Sequence, residues 1–308
     1  MKIAIMGSGG VGGYYGGRLA QAGEEVTFIA RGPHLEALRT KGLRVKSHFG
    51  DFELSAVQAT DNPADAGAVD LVIVATKAYG LDAAAEAIRP LLAGDTTVLP
   101  LLNGVDIAER LGAMLGADRM LAGLCGLSTF IAEPGVIHQV TPFEYVKFGE
   151  HSGEMSERGR AIERVMKGAA INAELSADIT VDLWNKFMML ASVAGVCSVS
   201  RSPFGVVRSD PDLRAMLAGQ IAEIEAIARA RSVGLAKDVA ERIMAQIDGV
   251  PPEMKPSMLM DLEGGRPLEL EVLQGTLVRM GAELGIETPV ARFIHAALKI
   301  HADGAPAK

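Results

Sequence analysis

The chain has 308 residues, of which 49% are hydrophobic and 22% charged, as expected for a globular protein of about two domains. Its formal net charge of −8 and its aromatic content of only 5% argue against a nucleic-acid-binding protein. The two cysteines lack metal-ligand spacing, and the longest apolar stretch (residues 187–199) is too short to cross a bilayer. No signal peptide is recognisable. We therefore expect a cytoplasmic enzyme without metal, membrane or nucleic-acid partner.

The first thirty residues predict a βαβ unit. Residues 2–6 are a short β-prone run, residues 14–22 have helical spacing, and residues 25–30 form a second strand-like run. Gly23 is a suitable C-cap for the helix between them. Strands joined by such a crossover lie parallel in one sheet.

A glycine cluster separates the first strand from the helix. It follows the pattern G-x-G-x-x-G, in which the first glycine makes a tight turn, the second lets the backbone approach a pyrophosphate and the third allows close helix–strand packing. The N–H groups at the start of the helix would then bind phosphates. A glycine-rich turn without a ligand is the alternative. The predicted cofactor-binding residues of this cluster are Gly7, Ser8, Gly9, Gly10, Val11 and Gly12.

The end of the second strand indicates which dinucleotide binds. NAD-binding proteins usually have an acidic residue there that bonds the ribose 2′-hydroxyl, but no Asp or Glu lies between Val26 and Leu35. Arg31 stands at that place, and a guanidinium can pair with a 2′-phosphate. The sequence therefore favours NADP(H) over NAD(H), with a solvated loop arginine as the alternative.

Further apolar runs extend the predicted sheet. Residues 70–75 and 96–102 are nearly continuous apolar runs, typical of strands buried on both faces of a parallel sheet. Lys77 and Asn103 follow these strands at their carboxyl ends, where ligands of open α/β sheets bind. Helical spacing is found in residues 81–92, 107–115 and 156–169.

From residue 122 onwards the pattern changes twice. Residues 122–148 alternate short strand-like runs with turns, and we expect a meander that closes the far edge of the sheet. The strand signal ends near Ala177, after a last strand-like segment at residues 173–179. Helices are predicted over residues 182–198, 211–233, 237–247, 267–284 and 289–301, followed by a loose tail.

These elements predict an α/β fold with two domains. Residues 1–177 form an N-terminal Rossmann-type doubly wound sheet that binds NADP(H), and residues 178–308 form an all-helical C-terminal domain for substrate and catalysis. A cleft between two such domains is a usual place for a small-molecule site. The apolar helices are compatible with a homodimer, although apolar helix faces more often form the core of one chain.

Two charged positions in the helical part are candidates for chemistry. Lys186 precedes the apolar run 187–191, where partial desolvation would suit it to proton transfer; a surface lysine is the alternative. Glu269 and Glu271 lie where a helix begins, and solvated carboxylates at its positive end are the default interpretation. The six histidines lack metal-ligand spacing, so no metal site is expected.

Seven segments form an ordered set that is more specific than any single motif. They are MKIAIMGSGGVGGYYGGRL at the start, Arg31, ATKAY at 75–79, LLNGV at 101–105, LWNKF at 183–187, PSMLMD at 256–261 and LELEVLQG at 268–275. Together they resemble the ketopantoate reductases (2-dehydropantoate 2-reductases), over essentially the whole chain. The resemblance implies a Rossmann domain and a helical domain like that of the 6-phosphogluconate dehydrogenase superfamily. It also implies NADPH-dependent reduction of a 2-oxo acid to a 2-hydroxy acid, a step towards pantothenate.

The resemblance also implies roles for individual residues. Lys186 matches the family's general acid, and Glu269 matches the acidic residue that orients substrate and cofactor. Ser257 matches a contact to the substrate carboxylate. Asn103 matches a residue near both nicotinamide and substrate, and Lys77 matches a lysine on the cofactor side.

Two positions depart from the family's pattern. The family typically has asparagines four and eight residues after its lysine, where this chain has Leu190 and Ala194. Loss of both amides would favour a more apolar 2-oxo acid. Arg201 is a candidate for a replacement carboxylate clamp, with a surface role as the alternative. The expected substrate is 2-dehydropantoate; the alternatives are a D-2-hydroxy acid dehydrogenase for a more apolar acid and a catalytically silent NADP(H)-binding sensor or scaffold.

Overall fold

The computed structural model describes residues 1–305, which fold into two compact units. The first unit comprises Met1–Leu102 and Asp106–Ile179, and the second comprises Asn103–Val105 and the chain from Thr180 onwards. The short segment Asn103–Val105 thus leaves the first unit and packs with the second, an arrangement that the sequence does not indicate.

Strands are confined to the first unit among the described residues. They are β1 (Lys2–Met6), β2 (Glu25–Ile29), β3 (Leu43–Lys46), β4 (Phe52–Leu54), β5 (Gln58–Thr60), β6 (Leu71–Val74), β7 (Thr97–Pro100), β8 (Ala122–Gly126), β9 (Thr129–Glu133), β10 (Val136–Gln139), β11 (Tyr145–Gly149) and β12 (Ala173–Leu175).

Helices occur in both units. They are α1 (Gly10–Gln21), α2 (Gly32–Lys41), α3 (Leu81–Ile88), α4 (Ile107–Leu115), α5 (Glu157–Gly168), α6 (Ile179–Ser200), α7 (Phe204–Ser209), α8 (Pro211–Ala230), α9 (Val239–Gly249), α10 (Ser257–Glu263), α11 (Thr276–Leu284) and α12 (Pro289–Leu298).

The first unit is built on a five-stranded parallel sheet in the order β5-β2-β1-β6-β7. All four residues of β6 and of β7 are buried, as their continuous apolar sequences predict for strands covered on both faces. The strand order reverses between β1 and β6, and the glycine loop after β1 lies at this switch point, where open α/β sheets bind ligands. The predicted Rossmann-type doubly wound sheet is confirmed.

Residues 122–148 do not form the expected meander at the edge of the main sheet. The β9–β10 hairpin instead joins β3 and β4 in a sheet ordered β4-β3-β10-β9, while β8 pairs with β11 and β12 in a third sheet. The short strand β3, with Leu43 and Val45 buried, supplies the edge on which β10 pairs. Because β3 was not recognised in the sequence, the partner of the hairpin was missed and the meander prediction was wrong.

Helix α1 begins at Gly10, four residues before the predicted start. Glycine has a low helix propensity, which hides this first turn from sequence patterns. Packing explains why the turn is helical nevertheless: a Cβ at position 12 would lie 2.1 Å from the main-chain oxygen of Gly7 and 2.8 Å from Cγ2 of Ile5. Close contact with β1 stabilises a helix that propensity alone disfavours.

In the described residues of the second unit, every element of regular secondary structure is a helix, and turns and loops join these helices, as predicted. Its helix α6 has 22 residues, more than the predicted 182–198, and by length and composition alone it could cross a membrane. However, 67% of its most apolar window is buried inside the protein, as in the core helix of a globular fold. The sequence-based argument that the apolar stretch is too short to cross a bilayer is therefore wrong. The burial of α6 inside the protein is what argues against a membrane span.

Two other predictions for the second unit need correction. The helix expected over residues 267–284 begins only at Leu270, and its first turn, Glu271–Gly275, is a π-helix that leads into α11. The tail after His301 was expected to be loose, but Ala302 accepts a hydrogen bond from the main-chain N–H of Leu268 at 2.8 Å. Ala305 likewise donates to Gly265 at 3.1 Å, so residues 302–305 are bound to the loop before Glu269. Residues 306–308 lie outside the described part.

Candidate active site

The glycine loop joins β1 to α1 and is hydrogen-bonded to the carboxyl end of β2. Gly7 has φ +94°, a conformation that favours glycine, and its N–H donates to the main-chain oxygen of Ile29 at 3.3 Å. The N–H and Oγ of Ser8 donate to the same oxygen at 3.2 and 3.1 Å. These bonds fix the conformation of the turn, and helix α1 begins directly after it at Gly10.

The start of α1 has the features of a phosphate cradle. Gly9 is the N-cap residue and no side chain caps this end, so N–H groups of the first turn still need acceptors. A Cβ at Gly9 would meet no atom within 4 Å, which leaves open space beside these N–H groups. An anion such as a pyrophosphate fits both the space and the positive end of the helix.

Two buried hydroxyl groups beside this loop also need a partner. Oγ1 of Thr76 and Oγ1 of Thr129 make no hydrogen bond to any residue of the described chain. Thr76 lies against Gly7, where a Cβ would come within 2.7 Å of its Cγ2, and Thr129 lies similarly close to Gly10. Buried polar atoms are normally bonded, so these hydroxyls are consistent with a polar ligand at the loop. The residues present therefore fit a dinucleotide.

Arg31 lies at the next helix start along the sheet. It is the exposed N-cap residue of α2, and its guanidinium forms no hydrogen bond or ion pair with any of residues 1–305. Its guanidinium and the N-terminus of α2 both attract an anion. Lys77, which is exposed, follows β6 and precedes a short 3-10 turn.

Sequence reasoning missed a role for His34 on α2. Its Nδ1 accepts a hydrogen bond from the N–H of Gly135 at 3.1 Å, which requires a ring that is unprotonated at Nδ1. Burial lowers the pKa of His34 from its ordinary value of 6.5, and the nearby backbone of Ser8 partly opposes this shift. The hydrogen bond from Gly135 thus connects α2 with the β9–β10 turn. The sequence holds no signal for this contact, since Gly135 is 101 residues away.

In the second unit, three of the predicted site residues form a hydrogen-bonded chain. Nζ of Lys186 donates to Oδ1 of Asn103 at 3.1 Å, and Nδ2 of Asn103 donates to Oε2 of Glu269 at 3.1 Å. They come together because the segment Asn103–Val105 packs with the helices of this unit. We call this arrangement the Lys186–Asn103–Glu269 chain.

The surroundings of the chain differ at its two ends. Lys186 is half-buried on α6. Its neighbours Trp184 and Phe187 are buried, and their rings pack edge to face with centroids 6.0 Å apart. Glu269 is only 7% exposed, so the default interpretation as a solvated carboxylate is wrong for it. It precedes the helix and turns toward Asn103, whereas Glu271 is 73% exposed and pairs with His295 at 2.7 Å.

Other predicted positions lie apart from this chain. Ser257 is the exposed first residue of α10, and its hydroxyl makes no hydrogen bond within the described residues. Arg201 is exposed just beyond the end of α6, 15 positions after Lys186, which corresponds to about 22 Å along a helix. A clamp at that distance cannot reach the carboxylate of a small acid bound at Lys186. Of the two departures from the family's pattern, Leu190 is half-buried and Ala194 only 1% exposed.

Two protein-family models match the sequence. The model described as "Ketopantoate reductase PanE/ApbA" matches residues 3–153, and the model described as "Ketopantoate reductase PanE/ApbA C terminal" matches residues 178–302. Together they cover most of both units.

Similar proteins agree with this match. The uncharacterized oxidoreductase YkpB of Bacillus subtilis is 32% identical over 303 residues, which cover 98% of this chain and 99% of that protein. A 2-dehydropantoate 2-reductase of Mesorhizobium japonicum is 31% identical and is matched over 94% of each chain. The crystal structure of a PanE/ApbA family ketopantoate reductase from Ralstonia eutropha JMP134 superposes with a TM-score of 0.90 at 31% identity, over 98% of both chains.

Proposed function

Because this chain belongs to the ketopantoate reductase family and is an oxidoreductase acting on a CH–OH group, we propose that it reduces 2-dehydropantoate to pantoate with NADPH. The reaction consumes one NADPH and one proton and converts the keto group of a 2-oxo acid to a secondary alcohol. This product would enter pantothenate synthesis in the cytoplasm. The observation that supports the proposal most is the Lys186–Asn103–Glu269 chain, because it holds a proton donor in a fixed direction.

The glycine loop, the N-terminus of α1 and Arg31 would hold the cofactor, with Lys77 and Asn103 as further contacts. When bound, NADPH supplies the hydride that reduces the keto carbon. Arg31 at the N-terminus of α2 supports NADPH over NADH, because its guanidinium can pair with the 2′-phosphate. Residues 26–35 contain no Asp or Glu, so this phosphate meets no carboxylate there.

Lys186 would donate the proton to the keto oxygen. Its ammonium group also stabilises the negative charge that develops on this oxygen before the proton is transferred. Asn103 accepts a hydrogen bond from this ammonium group and so restrains its direction. Glu269 in turn fixes the Asn103 amide, and its negative charge balances the partly buried cation. Asn103, Lys186 and Ser257 would contact the substrate.

A second candidate substrate is a more apolar 2-oxo acid, which would make the protein a D-2-hydroxy acid dehydrogenase. The supporting observation is Leu190, a half-buried apolar residue one helical turn after Lys186. A hydroxyl group near this side chain would lose its hydrogen bonds to water without a replacement, whereas an aliphatic or aromatic side chain would gain apolar contact.

The two candidates are separated by following NADPH oxidation with a panel of acids. The panel contains 2-dehydropantoate and 2-oxo acids with aliphatic or aromatic side chains, each also measured with NADH. The proposal predicts the highest kcat/KM for 2-dehydropantoate with NADPH. Higher kcat/KM for an apolar acid would favour the second candidate, and NADPH binding without oxidation by any acid would indicate the silent sensor.

A further inference from the structure

A widened helical turn follows Glu269. Residues Glu271–Gly275 form a π-helical turn between Leu270 and α11. Such turns place one extra residue in the helix and often occur at functional sites. This turn begins two residues after Glu269 and includes Gln274, which is completely buried.

Gln274 links the π-turn to two other helices. Its Nε2 donates to the main-chain oxygen of Ala191 on α6 at 2.8 Å, five residues after Lys186. Its Oε1 accepts a hydrogen bond from Nε2 of Gln220 on α8, and Gln220 is also completely buried. The side chain of Gln274 therefore joins the segment that contains Glu269 to the helix that contains Lys186.

The surrounding residues leave room for this contact. A Cβ at Gly195 of α6 would lie 2.6 Å from Nε2 of Gln274 and 3.1 Å from Oε1 of Gln220, so a larger residue would displace the amides. Oε1 of Gln220 has no hydrogen-bond partner among residues 1–305. A buried acceptor without a partner destabilises the fold, so a requirement for stability alone does not explain two glutamines in this core.

We propose that Gln274 is a positioning residue for the reaction. By bonding Ala191 it fixes the π-turn against α6, and so fixes the position of Glu269 relative to Lys186. Both hydrogen bonds of the Lys186–Asn103–Glu269 chain are 3.1 Å long, and a small displacement of the π-turn breaks the bond between Asn103 and Glu269. This inference rests on the proposed roles of Lys186 and Glu269.

Three variants separate positioning from stability. Gln274→Leu removes both the bond to Ala191 and the bond between the glutamines. Gln220→Leu removes only the bond between the glutamines and is the matched control. The double variant Gln220→Leu/Gln274→Leu replaces both amides with apolar groups, and such replacements can restore stability because no buried amide is left unpaired.

The measurements are the single-turnover rate of NADPH oxidation with the preferred acid of the panel, the KM values and the melting temperature. We expect Gln274→Leu and the double variant to lower the rate by about 10- to 100-fold with KM for NADPH unchanged, because small misplacements of catalytic groups have effects of this size. Gln220→Leu should keep the rate within about threefold of the wild type while melting at a lower temperature.

Two results would overturn the proposal. One is an equal loss of rate in Gln220→Leu and Gln274→Leu. The other is recovery of the rate together with the melting temperature in the double variant, which would make the effect purely structural. Lys186→Ala, measured in parallel, distinguishes failure of the proposed function: if that variant is fully active, the role of Lys186 is wrong, whatever Gln274 does.

Discussion

Asn103 and Lys186 are hydrogen-bonded at 3.1 Å although 83 positions separate them in the chain. The bond defines the orientation of the amide, with Oδ1 toward the ammonium group and Nδ2 toward the carboxylate of Glu269. The flipped amide would place N–H groups against the ammonium and an oxygen against the carboxylate. An uncharged residue that both donates and accepts is therefore required between the cation and the anion.

Replacing Asn103 should break this chain at its centre. Asn103→Asp keeps the size of the side chain but removes the donor to Glu269 and places two carboxylates together. We expect kcat/KM for the 2-oxo acid to fall by about 100-fold, because the new carboxylate repels Glu269 and forms a stronger ion pair with the Lys186 ammonium, which draws the ammonium away from the keto oxygen. Asn185→Ala, which removes a half-buried amide next to Lys186, is the control and should change kcat/KM little. Wild-type turnover in Asn103→Asp would refute a role for the chain.

Replacing Arg31 should change the choice of cofactor. Arg31→Ala is expected to weaken NADPH binding by about 10- to 100-fold and NADH binding little, since only NADPH has a 2′-phosphate for the guanidinium. Calorimetric titration with both cofactors measures the ratio. Arg39→Ala removes the same charge from the other end of α2, where Arg39 pairs with Asp61, and should leave the ratio unchanged. Equal losses for both cofactors in Arg31→Ala would place the 2′-phosphate elsewhere.

Replacing Leu190 should test the contact that distinguishes the two candidate substrates. Leu190→Asn introduces an amide one turn after Lys186, so the ratio of kcat/KM for 2-dehydropantoate to that for an apolar 2-oxo acid should rise by about tenfold or more. Ala194 is unsuitable for the same change, because an amide at this buried position would lack a partner. Val199→Asn, also half-buried on α6 but about 20 Å from Lys186, is the control. An unchanged ratio in Leu190→Asn would show that this position does not contact the substrate.

His34 should make stability depend on pH. Its folded-state pKa lies below the ordinary 6.5, so as the pH falls below 6.5 the unfolded chain takes up the proton first. The contribution of His34 to the free energy of unfolding is therefore greatest above pH 6.5. It decreases as the pH falls toward the pKa of the folded state and stays constant below that pKa. Protonation at Nδ1 also breaks the bond from Gly135.

The melting temperature at about pH 7.5 and about pH 5.5 measures this effect. His34→Gln removes the titrating group, so the decrease in melting temperature between these pH values should be smaller than in the wild type. His151→Gln removes an exposed histidine from the same unit and should keep the wild-type decrease. A decrease in His34→Gln as large as in the wild type would contradict the assignment.

The sequence predicts those helices and strands whose bounds are set by neighbouring residues in the chain. β1 and α4 have the predicted bounds, because an apolar strand before a glycine turn and an amphipathic helix are local signals. The two small sheets were missed because β3 and β10, which are about 90 residues apart, identify each other only in three dimensions. The π-turn was missed because Glu271–Gly275 has ordinary helical composition.

The residues of the candidate site likewise divide into those that a local sequence pattern identifies and those that only three-dimensional packing brings together. Gly7, Gly9 and Gly12 are found from spacing alone, because their pattern has a local mechanical reason. Asn103 and Lys186 were singled out from the sequence as a residue after a buried strand and as a partly desolvated lysine, but their specific roles came from the family resemblance. The role of Glu269 came from the resemblance alone, because its place at a helix start predicts a solvated carboxylate. The bonds that unite them depend on the packing of Asn103–Val105 with the second unit, as the contact of Gln274 depends on the gap at Gly195.

Lys186→Ala provides the most direct test of the proposed reaction. The quantity to measure is the rate of NADPH oxidation in a single turnover at saturating 2-oxo acid, together with the Kd for NADPH. If Lys186 donates the proton, the rate should fall by about 100- to 10,000-fold while the Kd stays close to that of the wild type. A variant that reduces the acid at nearly the wild-type rate would contradict the account.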